Sequence, residues 1–179
     1  IFSLLTTLGW AQQKKVSLAG SRISLIPPAN TKVFNQSSSI VGANYKMTLV
    51  EIPNTDGLAK FDGADSSLYS NAGVAVIDQI NSEIDGYKSK IIYFNSDQGI
   101  SFVQFILVGD EFYVIGSTQL EMGDTLAYQN VVTSLKSIEI DEEKSIVWND
   151  FFAFNLVEDN PFHLETEGCS PMQLVFTKD

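Results

Sequence analysis

The sequence is short of the residues that most enzyme chemistry uses. It holds one cysteine, Cys169, and one histidine, His163. A lone cysteine excludes an internal disulfide, and with a lone histidine it leaves a zinc site two ligands short, to be found among carboxylates. A Cys–His nucleophile pair needs hydrogen-bond reach and a third group to orient the base. These two stand six positions apart across Glu165, Glu167 and Gly168, and they read as locally packed or exposed. Basic residues are scarce as well: 11 Lys+Arg face 22 Asp+Glu, a formal charge of −11, and Lys14-Lys15 is the only adjacent basic pair. Nucleic acid and anionic membranes, which bind by releasing counterions to a cationic face, are therefore disfavoured partners. Phosphate-binding loops are missing too. Gly57, Gly63, Gly73, Gly86, Gly99, Gly109, Gly116 and Gly123 stand alone, with no GxGxxG, GxxxxGK[ST] or GxSxG among them. They read as turns, bulges and helix stops.

Long hydrophobic runs are absent. The apolar start, Ile1–Gln12, is too short to span a bilayer. It resembles the tail of a secretory signal, closed by small residues at Gly9 and Ala11, without an initiator Met or a basic n-region. The expectation is export to a periplasm or the exterior, with residues 1–12 as the signal remnant; if retained, they form an apolar segment packed on this domain or a neighbour. Gln12 stands where a lipid-anchored protein would carry Cys, so no lipid anchor is expected.

What is present is enough apolar residue for a core. Hydrophobic residues make up 44% of 179 positions and mean hydropathy is +0.05, which fits one domain of ordinary size. The densest signal runs from Lys88 to Leu120: Ile91–Phe94, Ile100–Val108 and Glu111–Gly116 are β-branched and aromatic, separated by Asn95–Gly99 and Gly109-Asp110. This predicts an antiparallel meander. Upstream, Val74–Ile80 leads through the hairpin-grade turn Asp85-Gly86 into Tyr87–Ile91.

Earlier still, Val16–Leu18 and Arg22–Ile26 alternate, with Val16, Leu18, Ile23 and Leu25 inward, and Pro27-Pro28 ends the second strand. Thr31–Ser39 is polar and reads as loop, anchored by Val33 and Phe34. Tyr45–Ile52 is a strand with Tyr45, Met47, Leu49 and Glu51 on one face, ended by Pro53–Gly57. Leu58–Asn71 reads as a helix or two helical turns. A second helix runs from the N-cap Asp124 to Leu135, with Tyr128, Val131, Val132 and Leu135 as its buried stripe. Ser137–Ile140 adds a short strand.

The solvated break Asp141–Lys144 is the best internal boundary. It divides a domain at 13–140 from an aromatic extension at 141–179 that is too short to stand alone and is expected to pack on the same domain. That extension includes a predicted strand at Met172–Phe176. The end at Thr177-Lys178-Asp179, just past a strand, leads one to expect a natural chain that continues.

Carboxylates are the remaining candidates for chemistry. Asp62 and Asp65 are three apart on the first helix; Asp78, Glu83 and Asp85 surround a turn; Glu139, Asp141, Glu142 and Glu143 are nearly consecutive. No stretch matches a calcium loop, and these acids read as solvated surface. A glycosidase-type pair is indicated by nothing in the spacing. The aromatics Tyr87, Tyr93, Phe94, Phe102, Phe105, Phe112 and Tyr113 read as core. If a sheet face is left uncovered by helices, they would instead line a ligand groove or protein-binding patch.

The order of strands and helices, the Ser24-Leu25-Ile26-Pro27-Pro28 opening, the Ile84-Asp85-Gly86-Tyr87 turn and the helix end Ser134-Leu135-Lys136-Ser137 resemble the PsbP/Mog1/DcrB-like superfamily over residues 16–140. The resemblance is closest to small exported proteins of that shape found in Bacteroidetes. It implies an α+β fold, an antiparallel sheet of about six strands flanked by helices in a Mog1/PsbP-like α/β/α sandwich. It also implies a non-enzymatic role as an accessory or protein-binding module. No catalytic, cofactor or metal residue is assigned. The expected partner is a protein, with self-association open, and neither nucleic acid nor stable membrane insertion is expected. The alternative is a small-ligand or cation-binding envelope protein, with function at the turns Asp85-Gly86, Asn95–Gly99 and Gly109-Asp110 or on an uncovered sheet face.

Overall fold

A computed structural model describes residues 14–34, 38–53, 57–64 and 74–145, together with the backbone of two short strands at 162–164 and 176–178. In chain order the elements are β1 (Val16–Ser17), β2 (Ile23–Leu25), β3 (Lys32–Phe34), β4 (Ser39–Val41), β5 (Tyr45–Pro53), α1 (Gly57–Gly63), β6 (Ala75–Ile84), β7 (Tyr87–Asn95), β8 (Ile100–Val108), β9 (Phe112–Glu121), α2 (Thr125–Lys136), β10 (Glu139–Ile140), β11 (Phe162–Leu164) and β12 (Phe176–Lys178).

Local turn chemistry sets the middle of the fold. Asp85 and Gly86 take φ of 52° and 82°, and Ile84 lies opposite Tyr87. Two positive-φ residues between paired strands are the twist-compatible two-residue hairpin that Asp-Gly favours. Gly99, at φ 76°, closes the next turn. The predicted meander forms as β7–β8–β9, and β5 pairs antiparallel with β9 along its whole length, Tyr45↔Leu120 to Pro53↔Phe112. The resulting sheet has seven strands in the order β3–β4–β5–β9–β8–β7–β6.

Because side chains alternate across a strand, the register divides this sheet into two faces. One face carries Met47, Leu49, Ile91, Val103, Phe105, Leu107, Val114 and Leu120, all buried. It packs against Ala127, Val131, Val132 and Leu135 of α2, and against Leu18, Ile23, Leu25, Ile138 and Ile140. Of these, Ile23, Leu25 and Ile140 belong to a second, three-stranded sheet, β1–β2–β10, and Leu18 and Ile138 directly flank its strands. Removing a side chain such as Leu107 from water contributes about 1.5–3 kcal/mol, and this face is the main core. On the opposite face α1 lays Phe61 and Ala64 over Ile106, Val108 and Tyr113, beside Ile52.

Several expectations change. The central sheet has seven strands, not about six. Helices α1 and α2 lie on opposite faces of the central sheet, but among the described residues the three-stranded sheet shares the cover of the main core, so the helix-flanked sandwich holds in part. Thr31–Ser39 is not loop throughout: Lys32–Phe34 is β3 and Ser39 begins β4, while residues 35–37 lie outside the described ones. Val33 pairs with Ile40, while the Ser39 and Thr48 hydroxyls bond each other across the ladder at 3.2 Å. A serine whose hydroxyl finds a cross-strand partner sits in a sheet without cost, and its polarity is no mark of a loop. Phe34 is no anchor, being 49% exposed. Of the predicted helix Leu58–Asn71, α1 accounts for the first part and residues 65–73 lie outside the described ones. Of the predicted strand Met172–Phe176, residues 172–175 lie outside the described ones; β12 (Phe176–Lys178) pairs with β11 and places His163 opposite Thr177. Cys169 and residues 1–13 also lie outside the described residues.

Candidate functional site

The three turns singled out from the sequence are structural fixtures. Asp85 turns its carboxylate onto β10, where Oδ2 accepts the Ile140 backbone N–H at 2.7 Å. At Asn95–Gly99, Ser96 Oγ donates to the Ile100 carbonyl at 3.0 Å, and Asn95 Oδ1 accepts from Ser101 Oγ at 2.7 Å. Gly109 sits under the Phe112 ring, where a Cβ would come within 2.2 Å of a ring carbon.

Some of the candidate carboxylates likewise join the cover to the sheet, and others make contacts within the cover. Glu139 pairs with Lys15 and Glu142 accepts the Tyr87 hydroxyl. Asp78 Oδ2 accepts the Tyr128 hydroxyl at 2.7 Å, with the Tyr128 and Tyr93 rings stacked 4.3 Å apart. Asp141 Oδ1 accepts from the Glu143 N–H at 3.2 Å. Asp62 lies on α1, while Asp65 is outside the described residues. Among the described residues no group of three His, Cys, Asp or Glu is gathered to hold a metal.

These contacts shift phenols. Burial pushes the Tyr87 hydroxyl up to about 12, helped by its bond to Glu142 and by the charges of Glu142 and Asp85, against Arg22. Burial moves Tyr128 still higher, reinforced by the Asp78 bond and charge and by Tyr93. Burial alone raises Tyr45 to about 12.

One polar pair was hidden in the strand pattern. Glu51, in the inward phase of β5, is fully buried; its Oε2 accepts the Arg22 backbone N–H at 2.8 Å and its Oε1 accepts Arg22 Nε at 2.6 Å. The Arg22 guanidinium lies over the Phe112 ring at 4.2 Å, and Tyr87 meets that ring edge-on at 5.4 Å. The signal was an acid at an apolar-phase position. Its partner, 29 residues upstream, had no sequence mark.

The site proper lies on the α1 side of the central sheet. Ladder register arranges this face in rows. Ile52, Tyr113, Val108 and Lys88 form the row next to α1; Val50, Ile115, Ile106 and Lys90 form the next; Thr48, Ser117, Gln104 and Ile92 form the third. The seven-residue helix reaches the first row and the edge of the second. Over the second and third rows lies a cavity of about 370 Å³, walled by apolar side chains with Thr48, Gln104 and Ser117 along one side and Lys90 at the end of the apolar row. Ile115, on a central strand, stays 40% exposed there. Lys90 is 6% exposed, and its Nζ donates to the Phe61 carbonyl at 2.8 Å and lies 4.5 Å from the Phe61 ring centre. That carbonyl belongs to the last turn of α1, where carbonyls lack intrahelical partners and the helix dipole favours a cation. Lys90 thus fixes α1 at the cavity wall, and among the described residues no carboxylate pairs with it. This is the uncovered face that the sequence left as an alternative; the residues lining it, apart from Phe105, carried no sequence signal as a site.

Among the described residues no helix is long and apolar enough to cross a membrane. No protein-family model and no curated protein matches the chain. Solved structures similar to it include one from Bacteroides thetaiotaomicron, at 13% identity over 74% of this chain and 50% of the other, with a TM-score of 0.49. The chain therefore spans about half the length of that protein. A Pseudomonas aeruginosa protein of unknown function is similar at 12% identity over 70% of this chain and 83% of the other, with a TM-score of 0.36. A third, the cyanobacterial PsbP of Synechocystis, is similar at 8% identity over 78% of this chain and 99% of its own, with a TM-score of 0.46; it carries the name of the superfamily that the sequence resembles.

Proposed function

We propose that this protein is an exported, non-catalytic accessory module that binds a protein partner through the α1-side face of its central sheet. One observation carries the reading: the middle of that face, at Ile115, stays open over an apolar-walled cavity while the centre of the opposite face is buried in the main core. A strand-centre isoleucine left part-exposed loses burial free energy that a partner can restore. Leu58, on α1, is another large apolar side chain left 55% exposed. Export is supported by the signal-like Ile1–Gln12 stretch, and a non-catalytic role by the single His and single Cys of the sequence. A second reading, small-ligand binding on the same face, is favoured by the concave volume beside Lys90.

The test places a photo-crosslinking residue at Ser117, on the open face, or at Ser24, on the outer sheet. In an envelope extract the Ser117 probe is expected to give a discrete adduct that the Ser24 probe does not, and Ile115→Asp is expected to abolish it. Equal adducts from both positions, recovery of the chain from the cytosolic fraction, or a turnover activity lost with Ile115→Asp would overturn the proposal.

A further inference from the structure

The geometry points to a ligand class for this cavity: we infer that it takes an amphipathic monocarboxylate, an aliphatic chain carrying one anionic head. The inference rests on the reading that this face is the protein's binding surface, and goes beyond it by naming what the concavity accepts.

The argument starts from Lys90. An ammonium is rarely buried unless paired, because desolvation disfavours its charge. Here the side chain is 6% exposed, and one of its three donors meets the Phe61 carbonyl. The Phe61 ring offers its π face as a further, weaker partner. No carboxylate among the described residues neutralises it. Asp78, Glu139 and Glu142 are committed to Tyr128, Lys15 and Tyr87. A positive charge at a low-dielectric wall, with donor capacity left over, is complementary to an anionic head that enters the cavity.

The rest of the wall selects the tail. From Lys90 the row continues through Ile106 and Ile115 to Val50, an apolar track crossing four strands. Thr48, Gln104 and Ser117 run parallel to it, so the cavity has an apolar lane and a polar lane side by side. A molecule with one charge at one end and hydrocarbon along its length matches Lys90 and the apolar lane together. A dianion leaves its second charge without a counter-charge in this wall, and a sugar leaves the apolar lane unmatched. The volume, about 370 Å³, falls in the range of small-molecule sites.

Isothermal titration calorimetry on the full chain tests this with three probes: decanoate, decan-1-ol and acetate. Decanoate is expected to bind at least tenfold more tightly than decan-1-ol, and acetate not measurably. Lys90→Gln keeps an amide donor for the Phe61 carbonyl while removing the charge; it is expected to weaken decanoate tenfold or more and to leave decan-1-ol unchanged. Ile115→Trp fills the open end of the cavity from a surface position and is expected to abolish binding of both. Equal affinities for decanoate and decan-1-ol, or an unchanged decanoate affinity in Lys90→Gln, overturn the assigned head group while leaving the face a binding surface. No binding of either chain, with the Ser117 crosslink retained, overturns the inference alone. Loss of that crosslink as well removes the binding face on which it rests.

Discussion

Arg22, just before β2, and Glu51, on β5, form an ion pair between the two sheets. Glu51 has 0% side-chain exposure and Arg22 has 18%, so the two are not equivalent. Removing Arg22 strands a carboxylate in the core, with only the position-22 backbone N–H left to serve it. Removing Glu51 leaves a guanidinium that still reaches water and still lies on Phe112. Breaking a buried pair from one side costs about 3–5 kcal/mol, whereas replacing both partners by apolar groups is often neutral or better. Arg22→Met is therefore expected to lose about 3 kcal/mol or more, Glu51→Leu distinctly less, and the double variant Arg22→Met/Glu51→Leu to recover most of the loss. Urea unfolding of the three variants checks the order. If Arg22→Met proves as mild as Glu51→Leu, the pair does not work as described.

At the scale of elements, the fold is fastened at turns and caps. Asp124 Oδ1 accepts the Ala127 N–H at 2.9 Å and caps α2. Asp124→Ala is expected to cost about 1 kcal/mol, a drop of about 2–4 °C in Tm for a chain of this size. Gly86 has open space around its Cα, so Gly86→Ala meets no clash and is charged only for φ of 82°. That conformation costs an L-residue about 1–2 kcal/mol. Gly116 is the opposite case: its φ is ordinary, but a Cβ would come within 2.6 Å of Leu49 Cδ2. Gly116→Ala therefore perturbs the β5–β9 contact through packing. Differential scanning calorimetry separates the three, and a Gly86→Ala protein as stable as the parent contradicts the turn assignment. The same distinction explains what was legible in the sequence. Asp85-Gly86, Asn95–Gly99 and the Asp124 cap are local chemistry, written within a few residues, and the sequence reading placed them. The β3–β4 pair is held by Val33↔Ile40, and β4 meets β5 through the Ser39 and Thr48 hydroxyls, which local polarity disguises. The cavity was visible only as an alternative, because it depends on how far α1 reaches over rows of residues drawn from four strands.

Across the whole molecule, tyrosines join the covering layer to the β6–β7 hairpin. Tyr128 links α2 to Asp78 on β6, and Tyr87 links β7 to Glu142 beyond β10. Each phenol must keep its proton to donate to a carboxylate. Burial, then the bond to that carboxylate and its charge, hold Tyr87 at about 12 and Tyr128 higher still, while burial holds Tyr45 at about 12; a free phenol titrates near about 10. Below that lower value the phenols are protonated in both states, and their contribution to stability is fully present. As pH rises from about 10 toward 12, the unfolded chain releases protons that the folded chain retains, so stability falls. Once the folded phenols ionise, the contribution is lost. Ionisation also adds negative charge to a molecule already at −11, which opposes reformation of the layer contacts. Urea midpoints measured from pH 8 to 11.5 are expected to stay level to about pH 9.5 and then decline. Tyr87→Phe/Tyr128→Phe should start from a lower midpoint at pH 8 and decline less steeply, having lost both the bonds and two of the titrating groups. A double variant that declines as steeply as the parent would show that the alkaline limit lies elsewhere than in the seam between sheet and cover.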